Sequence, residues 1–279
     1  MGILKTIGKT ALGLGAGTLV VLTGMKVMDD RYVDQIWRSL EQTERVGGVF
    51  SEEMVSDLPD AARRYFLHAI RPGAPLATRV EFGYTGEIKP GEQMPWMSLD
   101  AHQILVKQRG FVWKARTWKG PLVVTGRDHY FDGEGRMKIA LFGLVPVVNA
   151  SGPDLSRSAM GRLLMEGALL PTAFLPGPNV RIEGIDESRF TAHMKLQGET
   201  TTVNFTVDPE GRLTEMYIAR WGDMTPDRSF QFIPYGIHVD EEATFEDYTI
   251  PSKIRVGWWY GTERYEDVVR MTMNWAHYE

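Results

Sequence analysis

Residues 202–211 read TVNFTVDPEG, and the fold class follows from them. Val203, Phe205 and Val207 alternate with Thr202, Asn204 and Thr206, the period of two that gives a strand one apolar and one polar face. Asp208-Pro209-Glu210-Gly211 then specifies a tight turn, so the chain returns antiparallel beside the strand it has just left. The same pattern recurs along the chain. Val80, Phe82, Tyr84 and Ile88 alternate with Glu81 and Glu87, and Phe111, Trp113 and Ala115 alternate with Lys114 and Arg116. A second turn stands at Asp132-Gly133-Glu134-Gly135. Near the C-terminus Val269, Met271, Met273 and Trp275 fall on one face, and Arg270, Thr272 and Asn274 on the other. About ten such strands follow Pro75 with no repeat and no linker between them. This predicts a mainly β (α+β) fold: a single curved antiparallel sheet, or half-barrel, with one or two covering helices.

Two segments change the period from 2 to 3.6. Asp57-Leu58-Pro59 opens a helix whose apolar face is Leu58, Ala61, Ala62, Tyr65, Phe66 and Ala69, closed by Arg71-Pro72-Gly73. A longer helical insertion covers residues 153–170 and is stopped by Pro171. A sheet half closed around such helices shelters either an apolar cavity or a packed core, and both patterns look alike in sequence.

Residues 10–25, TALGLGAGTLVVLTGM, are free of charge and lie between Lys9 and Lys26. As a helix they span roughly 24 Å at 1.5 Å per residue, enough to cross a hydrocarbon core of about 30 Å if the flanking lysines snorkel. The run is expected to be an N-terminal membrane helix. The alternatives are a cleaved signal, for which Gly24-Met25-Lys26 is a poor site, and a buried or surface helix. Lys5 and Lys9 precede the run, whereas Asp29 and Asp30 offset Lys26 and Arg31 after it. That bias keeps the N-terminus in the cytoplasm and places the bulk of the chain outside it, on the periplasmic or extracellular side. Val33, Ile36, Trp37 and Leu40 continue in helical spacing. The expected organisation is an anchor over residues 1–28, an amphipathic stalk over 29–56 and a half-barrel domain over 57–279.

The chain carries 31 basic and 36 acidic residues. The first 28 residues hold three lysines and no acid, leaving 28 basic against 36 acidic in the rest, a net charge of −8. Such a surface lacks the basic footprint of a nucleic-acid binder. The absence of cysteine removes disulfides, thiolate nucleophiles and cysteine metal sites. His68, His102, His129, His193, His238 and His277 are scattered without zinc spacing, and neither a metal nor a cofactor is implied. The stretch GRDHYFDGEG at 126–135 offers Asp128, His129, Asp132 and Glu134 but reads better as a hairpin than as a calcium loop. No nucleophile elbow, P-loop or dinucleotide fingerprint occurs, so an enzyme would have to be assembled from dispersed Asp, His and Ser residues.

The candidate ligand-binding residues are Arg162, Glu166, Trp113, Tyr130, Trp221 and Trp258. Arg162 and Glu166 share an apolar stripe of the inserted helix with Leu155, Ala159, Leu163, Leu169 and Leu170, where charge is costly unless it is paired. Their bland reading is an intrahelical i,i+4 pair; the sharper one has either residue hydrogen-bonding a buried backbone group or a ligand head group. The tryptophans and Tyr130 read as core or as an apolar binding wall, and fourteen methionines add adaptable apolar surface.

The segments LPDAARRYFLHAI, LDAHQILVKQRGFVWKART, the stretch over 126–176 with its R-L-L-x-E-x-x-x-x-P-T-A pattern, and YTIPSKIRVGWWY resemble an uncharacterised family of bacterial membrane-associated proteins, known as a domain of unknown function. The resemblance covers roughly residues 57–277, and residues 126–176 are its most specific part. Leu163 stands where the pattern has an aromatic residue and Ile182 where it has a tryptophan, which would alter a pocket wall. The family brings no activity with it. Its fold looks similar to the lipoprotein-carrier half-barrel, which shelters acyl chains, and this implies binding of a lipid or other apolar ligand in the concave face. A non-catalytic envelope scaffold is the second expectation and a hydrolase the third. The expected partners are the membrane, a lipid or apolar small molecule, and an envelope protein.

Overall fold

The alternation seen at residues 202–207 extends through most of the chain. A computed structural model describes residues 2–44, 47–91 and 94–279, with side chains from residue 19 onward. Among the described residues thirteen strands form one sheet. They are β1 (Arg79–Ile88), β2 (Met97–Val106), β3 (Gly110–Lys119), β4 (Leu122–Phe131), β5 (Glu134–Leu141), β6 (Val145–Ser151), β7 (Val180–Gly184), β8 (Arg189–Leu196), β9 (Glu199–Val207), β10 (Leu213–Gly222), β11 (Gln231–Phe245), β12 (Tyr248–Trp258) and β13 (Glu266–Tyr278). Their order is β6-β5-β4-β3-β2-β1-β13-β12-β11-β10-β9-β8-β7, antiparallel throughout. The first and last strands pair in the middle, and the two edges, β6 and β7, are consecutive in the chain. A twisted sheet beyond about ten strands must curl.

Both predicted turns are present. At the β4–β5 connection Asp132 and Gly133 have φ of 48° and 94°, the left-handed pair that matches the twist of a two-residue hairpin. The strands exceed the expected ten partly because β6, with Pro146 and a mostly exposed face, carries little alternation. An edge is where a sheet tolerates a proline.

Three α-helices complete the described fold: α1 (Gly2–Glu41), α2 (Asp60–Ala69) and α3 (Pro153–Met165). α2 packs against β7, β8 and β12, while α3 links edge β6 toward edge β7 and touches both arms of the sheet, at β4, β5 and β10. The concave face between them holds the main core. Phe190 stacks on Phe205 with centroids 4.4 Å apart, and Tyr65 of α2 and Phe174 close over Phe205. The apolar face predicted for α2 is buried at Ala61, Ala62, Tyr65, Phe66 and Ala69.

The helical part of the segment expected to be a stalk, residues 29–41, lies on the sheet. Val33, Ile36, Trp37 and Leu40 of α1 are buried against Ile104, Val106 and Val112 on the convex face. Each such side chain contributes about 1.5–3 kcal/mol on burial. Asp29 fastens the same helix: Arg127 Nη1 and Lys138 Nζ reach its carboxylate at 3.1 and 3.2 Å. Of the run expected to be an anchor, residues 10–18 lie outside those whose side chains are described. Among the described residues no helix is long and apolar enough to cross a membrane.

Trp275 departs from its expected face. Tyr84 pairs with Met273 and Gly83 with Trp275, so Asn274 is an extra residue opposite β1. Such a bulge reverses the faces that follow it. Trp275 therefore lies outside, 41% exposed and 5.3 Å from the His102 ring. It crosses Gly83, where a Cβ would come within 2.4 Å of the indole nitrogen.

Candidate functional site

The site grows from one row of cross-strand neighbours on the concave face. Phe82 of β1 faces Gln103 of β2, Gln103 faces Trp113 of β3, and Trp113 faces Asp128 of β4. A polar Gln and Asp thus occupy core-facing positions in rows otherwise filled by Leu99, Ala101, Leu105 and Tyr130. Buried polar groups in such places need partners.

The partners come from α3. Gly152 at φ 119° turns the chain into the helix, Pro153 stands at its first position, and Asp154 favours its N-terminus. Arg162 and Glu166 follow one turn apart near its end. Arg162 Nε donates to Glu166 Oε1 at 2.7 Å, Nη1 to Asp128 Oδ2 at 2.7 Å, and Nη2 to Gln103 Oε1 at 3.0 Å. Gln103 Nε2 donates to Glu166 Oε2 at 2.5 Å, closing a ring of three residues. The guanidinium lies over Phe111 and Trp113, 4.7 and 5.1 Å from their centroids. Trp113 Nε1 donates to Tyr84 Oη at 2.7 Å.

Burial opposes the charge on Arg162, but the Glu166 and Asp128 carboxylates outweigh it and hold the guanidinium above its ordinary value. At Asp128 burial pushes the carboxyl up against the pull of Arg162. Its second oxygen, Oδ1, is buried without a hydrogen bond. Burial likewise raises the phenols of Tyr84 and Tyr235.

From the opposite arm, Arg220 of β10 reaches the same layer. Its Nε donates to the Ser158 carbonyl at 3.0 Å, and its guanidinium lies over Tyr235 and Trp258, 4.7 and 5.0 Å from the centroids. Gly161 permits this approach, because a Cβ there would stand 3.0 Å from the Arg220 side chain. Among the described residues Arg220 takes part in no ion pair, since Arg162 holds both nearby carboxylates.

A partly open cavity of about 170 Å³ lies beneath this layer, walled by Phe82, Tyr84, Ile88, Trp113, Leu169, Ile237, Ile254, Val256, Val269 and Met271, with Asp128, Arg162, Glu166 and Arg220 also lining it. A wider, open cleft of about 610 Å³ shares Asp128 and Arg220 with it and is bordered by Met137, Val148, Leu155, Met224, Phe230 and Trp258. The polar layer therefore divides an inner apolar space from an outer one. Among the described residues no group of His, Asp and Glu is placed to hold a metal ion.

Three of the six predicted residues, Arg162, Glu166 and Trp113, meet at the inner cavity. Trp258 borders the outer cleft. Tyr130 is 2% exposed and lines a different cleft, with Ser156, Arg157 and Glu199. Trp221 points away, its Nε1 donating to Asp154 Oδ1 at 2.8 Å with Arg157 over its ring. Of the two departures from the family pattern, Leu163 is a core residue and Ile182 is a partly buried one packed against the core, and neither lines either space. Gln103 and Arg220 were missed and Asp128 was read as part of a hairpin. Each carried a signal, a polar side chain on the apolar phase of its strand.

No curated protein matches the sequence. Among solved structures, the chain is similar to a DUF1329 family protein from Desulfovibrio piger at 9% identity, over 73% of this chain and 86% of that one, with a TM-score of 0.41. It is also similar to a putative outer membrane lipoprotein-sorting protein domain from Vibrio parahaemolyticus at 8% identity, over 82% and 92% of the two chains, with a TM-score of 0.39. A LolA superfamily protein from Nitrosomonas europaea matches at 7% identity, over 83% and 94%, with a TM-score of 0.36. The family resemblance seen in the sequence has a firmer footing, because a family model matches residues 48–268. The chain belongs to that family, a family of unknown function (DUF6544).

Proposed function

We propose that this protein binds a lipid or other apolar ligand inside the half-barrel, beneath α3. The observation that carries the reading is the apolar cavity capped by Arg162, Glu166, Gln103 and Asp128, with Asp128 and Arg220 lining both it and a larger cleft. Its volume sets the scale. An apolar cavity near 150 Å³ accepts benzene, so 170 Å³ takes a ring or a short chain segment and not a diacyl lipid, unless the rest lies in the outer cleft.

The reading includes an anchored, extracytoplasmic protein. Leu19, Val20, Val21 and Met25 of the uncharged run, and Met28 just after Lys26, are exposed, which supports a membrane at that end. The docking of the following turns on β2 and β3 would hold the half-barrel near the bilayer.

The same volume supports a second reading. Ligand pockets run to about 300–1,000 Å³, and a cavity below that range fits a packed, non-catalytic scaffold whose partner is another envelope protein. An environment-sensitive apolar dye separates the two. Uptake at one per chain, reduced by Val269→Phe at the cavity wall, supports the ligand-binding reading. Absence of saturable uptake supports the scaffold.

A further inference from the structure

We infer that the ligand is an amphiphile whose anionic oxygen-acid head, a carboxylate or a phosphate, is seated on Arg220 where the inner cavity meets the outer cleft. This deepens the ligand-binding reading and rests on it.

The two arginines of the polar layer have different surroundings. Arg162 donates to Glu166, Asp128 and Gln103 and is matched by two carboxylates. Arg220 spends its Nε on the Ser158 carbonyl and has no carboxylate of its own among the described residues. Tyr235 and Trp258 hold its guanidinium in a slot, which fixes the plane of the remaining N–H donors. Both the cavity and the cleft are lined by this residue, so the donors left over from the Ser158 carbonyl and the Tyr235 hydroxyl are placed at the junction of the two spaces. Burial, with the positive charge of Arg162 nearby, lowers the guanidinium below its ordinary value, as expected of a cation that lacks its counter-ion.

A planar guanidinium without a carboxylate partner, held in a half-buried aromatic slot, matches the oxygens of a carboxylate or a phosphate. The orphaned Asp128 Oδ1 lies on the same junction and offers an acceptor to a hydroxyl, or takes up a proton and donates to the acid group. Beyond the head, the short apolar part of the ligand has Met271, Ile254 and Val256 to rest on.

The test is equilibrium dialysis of labelled octanoate, octyl phosphate and octanol against the full chain held in a non-ionic amphipol, with empty amphipol as background. The expected result is that at least one of the acids binds about tenfold more tightly than octanol. Arg220→Gln should abolish that advantage while leaving octanol binding in place, which also reports that the variant is folded. The preferred acid names the head group. Equal affinity for octanol and both acids in the native chain overturns the inference while sparing the apolar-ligand reading, whether or not Arg220→Gln folds. Absence of binding by all three probes overturns both.

Discussion

Arg162 Nη1 lies 2.7 Å from Asp128 Oδ2, which fastens the helix that bridges the two edges of the sheet to β4. Gln103 of β2 joins the same guanidinium, so one side chain pins α3 to two strands and to its own Glu166. From sequence these charges read either as a pair within the helix or as partners of a buried backbone group or a ligand head group. The structure extends the pair to a four-residue network that roofs an apolar cavity.

Removing Arg162 leaves Asp128 and Glu166 half-buried and unpaired. We expect Arg162→Ala to cost about 3–5 kcal/mol in urea unfolding. The triple variant Arg162→Met, Asp128→Asn, Glu166→Gln should recover most of that loss, because it removes the charges together. A loss below about 1 kcal/mol for the single variant would mean that solvent already screens the network.

The aromatic stack deeper in the concave face should carry packing terms of similar size. Phe205 contacts Tyr65, Phe174 and Phe190, so Phe205→Ala is expected to cost about 3–5 kcal/mol. The same measurement on Trp221→Ala should show much less, since that ring sits toward solvent against Asp154 and Arg157.

Acid should weaken the convex side first. His129, buried on β4 edge-on to Tyr32 of α1, has its pKa lowered to about 4 by burial, with Arg136 adding to the effect. The unfolded chain protonates this imidazole near 6.5 and the folded one only near 4, so its stabilisation is complete above pH 6.5 and is lost as the pH falls toward 4. The expected loss is about 3 kcal/mol across that window. His277, raised by its hydrogen bond to Glu246, works in the opposite direction but is exposed and weak. Thermal melts between pH 4 and 7 read the slope, and His129→Leu should flatten it.

The docked turns of α1 should open as a unit, independently of the main core. Asp29→Ala leaves Lys138 without this carboxylate and Arg127 with Asp30 alone, which weakens the clamp at the start of the docked turns. Hydrogen exchange should then rise over residues 29–41 while β7 to β12 keep their protection. Loss of protection throughout would show the helix to be integral to the core.

Much of this was legible in the sequence. Strand alternation at Val203, Phe205 and Val207, the two turns and the apolar face of α2 were all written locally, within a few residues of one another. The site was only half legible, because its geometry joins residues far apart in the chain. Arg162 and Glu166 stood out by their place in an apolar stripe, whereas Gln103 and Arg220 acquire meaning only when β2 and β10 are brought to opposite sides of α3. Trp275 was misplaced because a single extra residue, Asn274, reverses a strand face, and nothing in the local pattern announces a bulge. The burial of Trp37 against β2 and β3 was hidden for the same reason: amphipathic spacing gives a helix an apolar face but not the surface that receives it.

The central claim is that the space beneath α3 holds an apolar ligand, and native mass spectrometry of the full chain released from non-ionic detergent tests it most directly. The account predicts a bound small molecule of constant mass at one per chain, reduced in Val269→Phe and retained in Trp221→Ala. A ligand-free mass for the native chain, unchanged after incubation with octanoate, octyl phosphate and octanol, would contradict it.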